Sequence, residues 1–459
     1  MASVEQAAEQ RIKAIKATSD EKRNALAQHL TPPETARLAA SMFTDADEPI
    51  ECLDLGCGTG MLSVALHERY GDLVTRIDGI EADPILAQIY DGELSDIPHT
   101  LVLGDALTDT PGKFYDRVIL NPPYKKMAAN DPRQEALPVH SANLYSAFLA
   151  IALDRLKDGG EVVAIIPRSW TNGEYFSPFR KWAFASYSLD ALHVYGSRTE
   201  VFADTDVLQE TMLVKFSKRS QTPKIKITQS TGKADEISIS EYKAEDLIIG
   251  SSHVVRIAPP ATVNVNGTVS SVGLCPSTGK VVDFRSRDRI YDEKPAERLS
   301  VRLVYAGNFP QGKFIHPADI GKGQWFAADD ETGQKQLIDS GFYVLVKRFS
   351  SKEERRRVVA YLLEAREAIA IENHLNVLHA GTPRKVVPLT RKTAAGLAIW
   401  LNSSFIDEWF RDVSGSTQVN AGDIKAMPCP EVSDLAHIAA KWHDGMEQDE
   451  IDAICEELL

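Results

Sequence analysis

Residues 51–60 read Glu51-Cys52-Leu53-Asp54-Leu55-Gly56-Cys57-Gly58-Thr59-Gly60: a mostly apolar run with an acid inside it, then glycines at alternate positions. The run predicts a short buried strand. The glycines predict a loop whose backbone can approach a ligand closely, and the text from Met61 to about Tyr70 predicts a helix. The same alternation continues outward. Upstream, HLTPPETARLAASMF is a loop entering a helix with prolines in its first turn. Downstream, TRIDGIEADP predicts a second strand ending near Glu81, HTLVLGDAL a third ending near Asp105, and YDRVIL a fourth. A helix over about Leu144 to Leu156 and a fifth strand in GGEVVAIIP follow. Strands and helices alternating at this spacing imply an α/β fold: a Rossmann-like parallel sheet with helices on both faces.

The 459 residues, 43% hydrophobic, suffice for two or three domains with their own cores. The opening MASVEQAAEQRIKAIKATSDEK is charged and lacks an apolar core, and no stretch approaches the length needed to cross a bilayer, so a soluble cytoplasmic protein is expected. Cys52, Cys57, Cys275, Cys429 and Cys455 lack paired spacing, which points to reduced, structural thiols and to no metal site. The net charge of −14 is uneven: residues 51–100 hold 2 basic and 10 acidic side chains, residues 401–459 hold 3 and 13, and residues 251–400 hold 22 and 15. The last of these segments can present a positive face to nucleic acid, or its cations can simply solvate its surface.

The glycine loop alone names no ligand, and it lacks the full pyrophosphate fingerprint. The next strand ends narrow the choice. Glu81 follows Gly56 by 25 residues, where a carboxylate meets the two hydroxyls of a ribose. Asp105 can accept from an adenine amine. Singly, either acid can be a cap or a solvated charge. Together they describe a nucleoside without a diphosphate, as in S-adenosylmethionine. The fourth strand runs into Asn121-Pro122-Pro123-Tyr124. One reading is an ordinary turn. The other is a clamp for a planar amine: the Asn121 side-chain oxygen and the Pro122 carbonyl each accept one amine hydrogen, the nitrogen is drawn towards a tetrahedral shape, and its lone pair is freed. Two prolines fix φ, and Tyr124 can stack on a ring.

In these parts and in their order the chain resembles the gamma class of N6-adenine DNA methyltransferases. The resemblance implies that Thr31 and Pro32 of HLTPPETA lie near the methionine end of the cofactor. It implies that Asp54, Gly56, Gly58 and Gly60 line the amino-acid moiety, that Glu81 with Ala82 takes the ribose and Asp105 with Ala106 the adenine, and that Asn121 contacts the cofactor as well as the target. Asn121, Pro122, Pro123 and Tyr124 match the catalytic tetrapeptide. IIPRSWTNGEYFSPFR resembles the family segment whose aromatic residue contacts a flipped adenine, which selects Phe176, with Tyr175 and Phe179 as neighbours able to compete for the role.

In the second half, STGKVVDFR, GFYVLVKRFSSKEERRRVVA, ENHLNVLH and GSTQVNAGDIKAMPCP are similar to segments of BsuBI/PstI-like and Eco57I-like modification methylases of type II restriction-modification systems. Lys347, Arg348, Lys352, Arg355, Arg356 and Arg357 have the chemistry for phosphates, and Asn373, Gln418 and Asn420 for base edges. KEERRR also reads as a solvated stretch of a helix over about Lys352 to Glu364 with internal charge pairs. His374 and His379 lack an evident third ligand and are read as structural.

The expected organisation is an N-terminal helix (1–27), a catalytic domain (28–220) that closes at the polar stretch SKRSQTPK, and a connecting segment (221–254). A mixed α+β target-recognition domain (255–430) and an acidic helical tail (431–459) complete it. The function this implies is site-specific methylation of adenine N6 in double-stranded DNA by base flipping, with a possible companion endonuclease. The alternatives are protein-glutamine N5-methylation, since a side-chain amide offers the same planar amine, and a DNA-reading specificity subunit without chemistry. A fused nuclease finds no room.

Overall fold

The computed structural model describes residues 3–17, 30–195, 211–230, 237–259, 265, 267–350, 354–414 and 417–459. The chain divides into two compact units, Met1–Pro259 and Pro260–Leu459.

The first unit is built on a nine-stranded sheet. Its strands are β1 (Ile50–Leu55), β2 (Val74–Glu81), β3 (His99–Leu103), β4 (Tyr115–Leu120), β5 (Leu156–Pro167), β6 (Ser188–Tyr195), β7 (Thr211–Ser217), β8 (Lys224–Ser230) and β9 (Ser238–Lys243), in the order β3-β2-β1-β4-β5-β7-β6-β8-β9. The pairs from β3 to β5 are parallel, and β7 runs antiparallel between β5 and β6. Alternate side chains enter opposite faces, so one strand feeds two cores. Leu53, Leu55, Val118, Leu120, Val162 and Ala164 join the core on one face, and Cys52, Ile119, Val163 and Ile165 the core on the other. This double burial explains why the parallel strands read as apolar runs in the sequence.

Helices α1 (Val4–Ala17), α2 (Pro33–Ser41) and α3 (Met61–Tyr70) pack on the second of these faces, burying Val4, Ala36, Val64 and Leu66. Helix α4 (Pro84–Glu93) starts behind Asp83, whose side chain accepts from the Ile85 amide at 2.9 Å, a cap that contributes about 1 kcal/mol. Helix α5 (Leu144–Asp154) is apolar almost all round and buried from Tyr145 to Leu153. The first unit also holds α6 (Ser177–Phe184), α7 (Ala244–Leu247) and the strand pair β10 (Ile248–Ile249) with β11 (Val254–Val255). Residues 18–27 of the expected N-terminal helix lie outside the described residues, whereas α1 itself is docked, its Val4 amide donating to Glu68 at 2.7 Å.

Strands β8 and β9 correct the expected connecting segment. SKRSQTPK holds the connection from β7 to β8, and β8 pairs in parallel with β6 across five residue pairs, so β8 and β9 extend the first sheet.

The second unit is mixed α+β. Strands β12 (Cys275–Thr278), β13 (Ile290–Tyr291), β14 (Ser300–Val304), β15 (Trp325–Ala327), β16 (Leu337–Ile338), β17 (Gly341–Lys347), β18 (Ala360–Ala365), β19 (Ile369–Ile371) and β20 (Leu375–His379) form a four-stranded sheet, β12-β20-β17-β18, and a five-stranded one, β13-β15-β14-β19-β16. Its helices are α8 (Glu331–Gln334), α9 (Arg391–Leu401), α10 (Ser404–Val413), α11 (Ala421–Ala426), α12 (Val432–Ile438) and α13 (Gln448–Glu456). The expected acidic tail is part of this core. Leu435, Ile438, Ile451 and Ile454 are buried, and α12 approaches α9 so closely that a Cβ on Gly396 would stand 1.8 Å from the Leu435 carbonyl oxygen.

The helix expected over Lys352 to Glu364 is also corrected. Lys352 lies outside the described residues, residues 354–359 form a turn, and residues from Ala360 form β18, antiparallel to β17. The charge run suggested a solvated helix, but Asp407 accepts from the amides of Arg357 and Val358 and holds the segment as a turn. Among the described residues no helix is long and apolar enough to cross a membrane.

Candidate functional site

Strand β1 pairs with β2 on one side and β4 on the other, so the strand order reverses there. In such sheets a crevice opens beyond the carboxyl ends of the strands at the reversal. The glycine loop follows β1 and the Asn-Pro-Pro-Tyr segment follows β4. Both singled-out motifs therefore belong to one crevice.

Gly56, Gly58 and Gly60 have φ of +80°, +55° and +88°, in the left-handed region that suits glycine. The amides of Gly56 and Cys57 donate to the Ile80 carbonyl at 3.0 and 2.9 Å, which folds the loop against β2. Glu81 clasps it from the other side: one carboxylate oxygen accepts from the Gly58 amide at 2.9 Å, the other from the Asp83 amide at 2.8 Å. Burial raises the pKa of Glu81. Asp54 is wholly buried and accepts from the Ser63 hydroxyl at 2.7 Å, and its Oδ1 has no hydrogen-bond partner among the described residues. Burial pushes its carboxyl up to about 7. An orphaned buried carboxylate oxygen beside a glycine cradle fits a cofactor that carries an ammonium and a sulfonium.

Asp105 is half-buried beyond β3, with Ala106 buried beside it. Its Oδ1 accepts from the Leu107 amide at 2.9 Å. Its Oδ2 accepts from Arg133 at 3.1 Å, while Arg133 also grips Asp131 through Nε and Nη2 at 2.9 and 2.7 Å. Arg133 holds the Asp131 carboxyl down at about 2. Sequence reasoning missed this arginine, which ties the loop after the tetrapeptide to the expected adenine acid. Ala82 is exposed at the tip of β2.

The tetrapeptide is held by its neighbours. Asn121 Nδ2 donates to the Thr31 hydroxyl at 3.0 Å, and the Tyr124 hydroxyl donates to Asn121 Oδ1 at 3.0 Å and lies 3.1 Å from the Ile165 carbonyl. Pro122 is buried, whereas Pro32 and Pro123 are half-buried. Burial raises the pKa of Tyr124, which keeps it a neutral phenol. Its ring meets Tyr145 edge-on at 6.3 Å, and Tyr145 meets Phe176 at 5.3 Å. Phe176 is 5% exposed and linked to the tetrapeptide through Tyr145, Phe179 is buried, and Tyr175 is 82% exposed. Sequence reasoning missed Tyr145, which hides within an apolar helix.

The second unit sorts the expected DNA-contacting residues. Arg356 and Arg357 are structural. Arg356 is bonded to the Asn402 side chain at 2.9 Å and to Gln448 at 2.7 Å, and Arg357, 1% exposed, bonds Ser350 at 3.1 Å and lies over the Phe410 ring. Asn420 caps α11 through Asp423. Lys347 pairs with Glu354 at 2.6 Å, and Arg355 is exposed. Arg348, Asn373 and Gln418 stand together: Arg348 donates to the Asn373 carbonyl at 3.3 Å and to Gln418 Oε1 at 3.5 Å. The two histidines differ. His379 is buried in β20 and accepts from the Gly381 amide at 3.0 Å, whereas His374 is exposed, with its ring bonded through Nδ1 to the buried Glu372.

A family described as Eco57I restriction-modification methylase matches residues 95–202. The type II methyltransferase M.BsuBI of Bacillus subtilis is 31% identical over 95% of this chain and 94% of its own length. The type II methyltransferase M.PstI of Providencia stuartii is 34% identical over 75% of this chain and 71% of its own. Among solved structures, the type IIL restriction-modification enzyme MmeI in complex with DNA shares the fold over 97% of this chain and 74% of its own, with a TM-score of 0.59 and 12% identity.

Proposed function

Because this chain belongs to the type II methyltransferases of restriction-modification systems and methylates DNA with S-adenosylmethionine, we propose that its acceptor is the N6 amine of one adenine in a specific duplex site. The observation that carries this reading is the Asn121 amide, held by Thr31 and Tyr124 at the crevice beside Pro122. Held so, Asn121 Oδ1 is oriented to accept one amine hydrogen, and the Pro122 carbonyl takes the other.

S-adenosylmethionine, when bound, supplies an electrophilic methyl group. The residues that would hold it are the Gly56–Gly60 loop with Asp54, then Glu81 for the ribose hydroxyls and Asp105 for the adenine amine, with Thr31 and Pro32 beside the methionine end. The target adenine cannot reach this crevice while stacked, so it swings out of the duplex at a cost of a few kcal/mol, offset by contacts to the flanking DNA. Tyr124 stacks on the extruded ring, backed by Tyr145 and Phe176. For Phe176 itself to touch the base, Tyr145 or the turn carrying Phe176 must move. No side chain need act as a strong base: the amine becomes acidic only as it is methylated, and its proton leaves to solvent. Catalysis then rests on orientation and on fixed acceptors. The protein acts in the cytoplasm, beside a separate endonuclease that reads the same site.

The test is to incubate mixed genomic DNA with the purified protein and S-adenosylmethionine and to map the modified bases by single-molecule sequencing. N6-methyladenine confined to one short sequence is expected. Methylated cytosine, or adenine methylated without sequence preference, would overturn the proposal.

A further inference from the structure

In the second unit, Glu372 is buried, yet its carboxylate holds a surface group. One oxygen accepts from the His374 amide at 2.9 Å and the other bonds His374 Nδ1. The His374 side chain is 48% exposed, and its ring lies against Phe349, itself exposed, at 4.8 Å. The Arg348 guanidinium lies over the Phe349 ring, 5.7 Å from its centroid. Backbone bonds lock the three segments together, the Arg348 amide donating to the His374 carbonyl and the Val419 amide to the Arg348 carbonyl, both at 2.8 Å.

A folded protein rarely leaves hydrogen-bonding capacity unused in such a place. Glu372 takes His374 Nδ1, and among the described residues no hydrogen bond is made by its Nε2, whereas Arg348 Nε and Asn373 Oδ1, also without a partner, are buried atoms that a duplex does not reach. A buried carboxylate that orients an exposed imidazole fixes which ring nitrogen faces outward. Phosphate contacts do not need such fixing, because a flexible lysine serves. Reading a base edge does need it, since donor and acceptor must meet a fixed pattern.

We propose that His374, oriented by Glu372 and set on Phe349 beside Arg348, reads a base edge of the target duplex. This rests on the proposed function, since it presumes duplex DNA as substrate, and it names the part of the second unit that selects sequence. His374 is the reading group and Glu372 a positioning residue.

The experiment uses the full chain and duplexes bearing the mapped site or single-base changes in it. For each duplex the ratio of methylation rates, cognate over altered, is compared between wild type and His374→Ala. At one altered position this ratio is expected to fall roughly tenfold, the size of one lost base contact, with the salt dependence of binding unchanged. Phe349→Ala removes the exposed ring on which His374 rests and serves where His374→Ala melts early. It is expected to lower the ratio at that same position. Equal ratios at every position for wild type and His374→Ala, or for wild type and Phe349→Ala where His374→Ala melts early, would overturn the inference, as would a uniform loss on all duplexes with a shallower salt dependence, which marks a phosphate contact. In either case wild type still methylates its site, so the proposed function stands. A wild-type protein that methylates no DNA overturns both.

Discussion

Asn121 cannot turn its amide without giving up bonds to both Thr31 and Tyr124. Each such bond contributes about 1 kcal/mol net, so the acceptor oxygen is aimed before any substrate arrives. Asn121→Ala is expected to lower methyl transfer by roughly 100-fold or more, the scale of a lost preorganised polar group, with cofactor affinity nearly retained in calorimetry. Loss of both together would make the residue structural. Tyr124→Phe keeps the ring but drops the bond to Asn121, and a smaller fall in rate is expected, with capture of the adenine kept. Asp54 adds a pH signature. The folded protein holds its proton up to about pH 7, whereas its ordinary value is 3.8, so between these values the folded state binds more protons than the unfolded chain. Stability without cofactor therefore falls as pH rises from about 4 to 7. Asp54→Asn is expected to melt higher than wild type at pH 8 and to lose that advantage near pH 4; an advantage independent of pH would mean that Asp54 is already ionised throughout. At this scale Asn121 and Asp54 were legible because each sits at the end of a recognisable strand. Thr31, 90 positions from its partner, was placed only near the cofactor by resemblance, since no local pattern reports so distant a contact.

At the scale of elements, the loop after the tetrapeptide is a strap. It is closed by bonds from the Leu144 amide to the Lys125 carbonyl at 2.8 Å and from the Met127 amide to the Ala142 carbonyl at 2.9 Å, and Arg133 anchors it to Asp105. Arg133→Ala is expected to weaken binding of S-adenosylhomocysteine several-fold in calorimetry, and to do nothing further once Asp105 is alanine. Additive effects in that double-mutant cycle would show that Arg133 acts elsewhere. The turn over residues 354–359 makes the opposite point about charge. Arg357 is buried over the Phe410 ring, so Arg357→Ala is expected to destabilise the protein by about 2 kcal/mol in a denaturant melt, with no change in how DNA binding by the surviving folded protein responds to salt. The parallel strands were legible because burial on both faces leaves mostly apolar runs. The helix expected at Lys352 to Glu364 was not, because a run of arginines reads as a solvated face until its partners, here Asp407 and Asn402, are known.

At the scale of the whole molecule, the division into an α/β unit and a mixed unit was legible from the change in periodicity. The end of the first sheet was not, since SKRSQTPK looks like a linker and only the pairing of β8 with β6 shows it to be a connection within that sheet, running from β7 past β6 to β8. The charge balance changes in the same way once partners are visible. Residues 251–400 carry 22 basic side chains, but Arg356 and Arg357 are committed to the interior. Arg289, Arg298, Lys322 and Lys347 are paired with Asp330, Asp329, Asp283 and Glu354. Far fewer cations than the sequence suggests are available to release counterions from a duplex. With about five phosphate contacts, the logarithm of the binding constant would fall with the logarithm of salt concentration at a slope near −4.5. Of the three consecutive arginines only Arg355 is exposed. Arg355→Glu is therefore expected to flatten that slope by about one, across cognate and random duplexes alike. A slope that stays at the wild-type value would remove the turn from the DNA interface and leave its arginines as architecture alone.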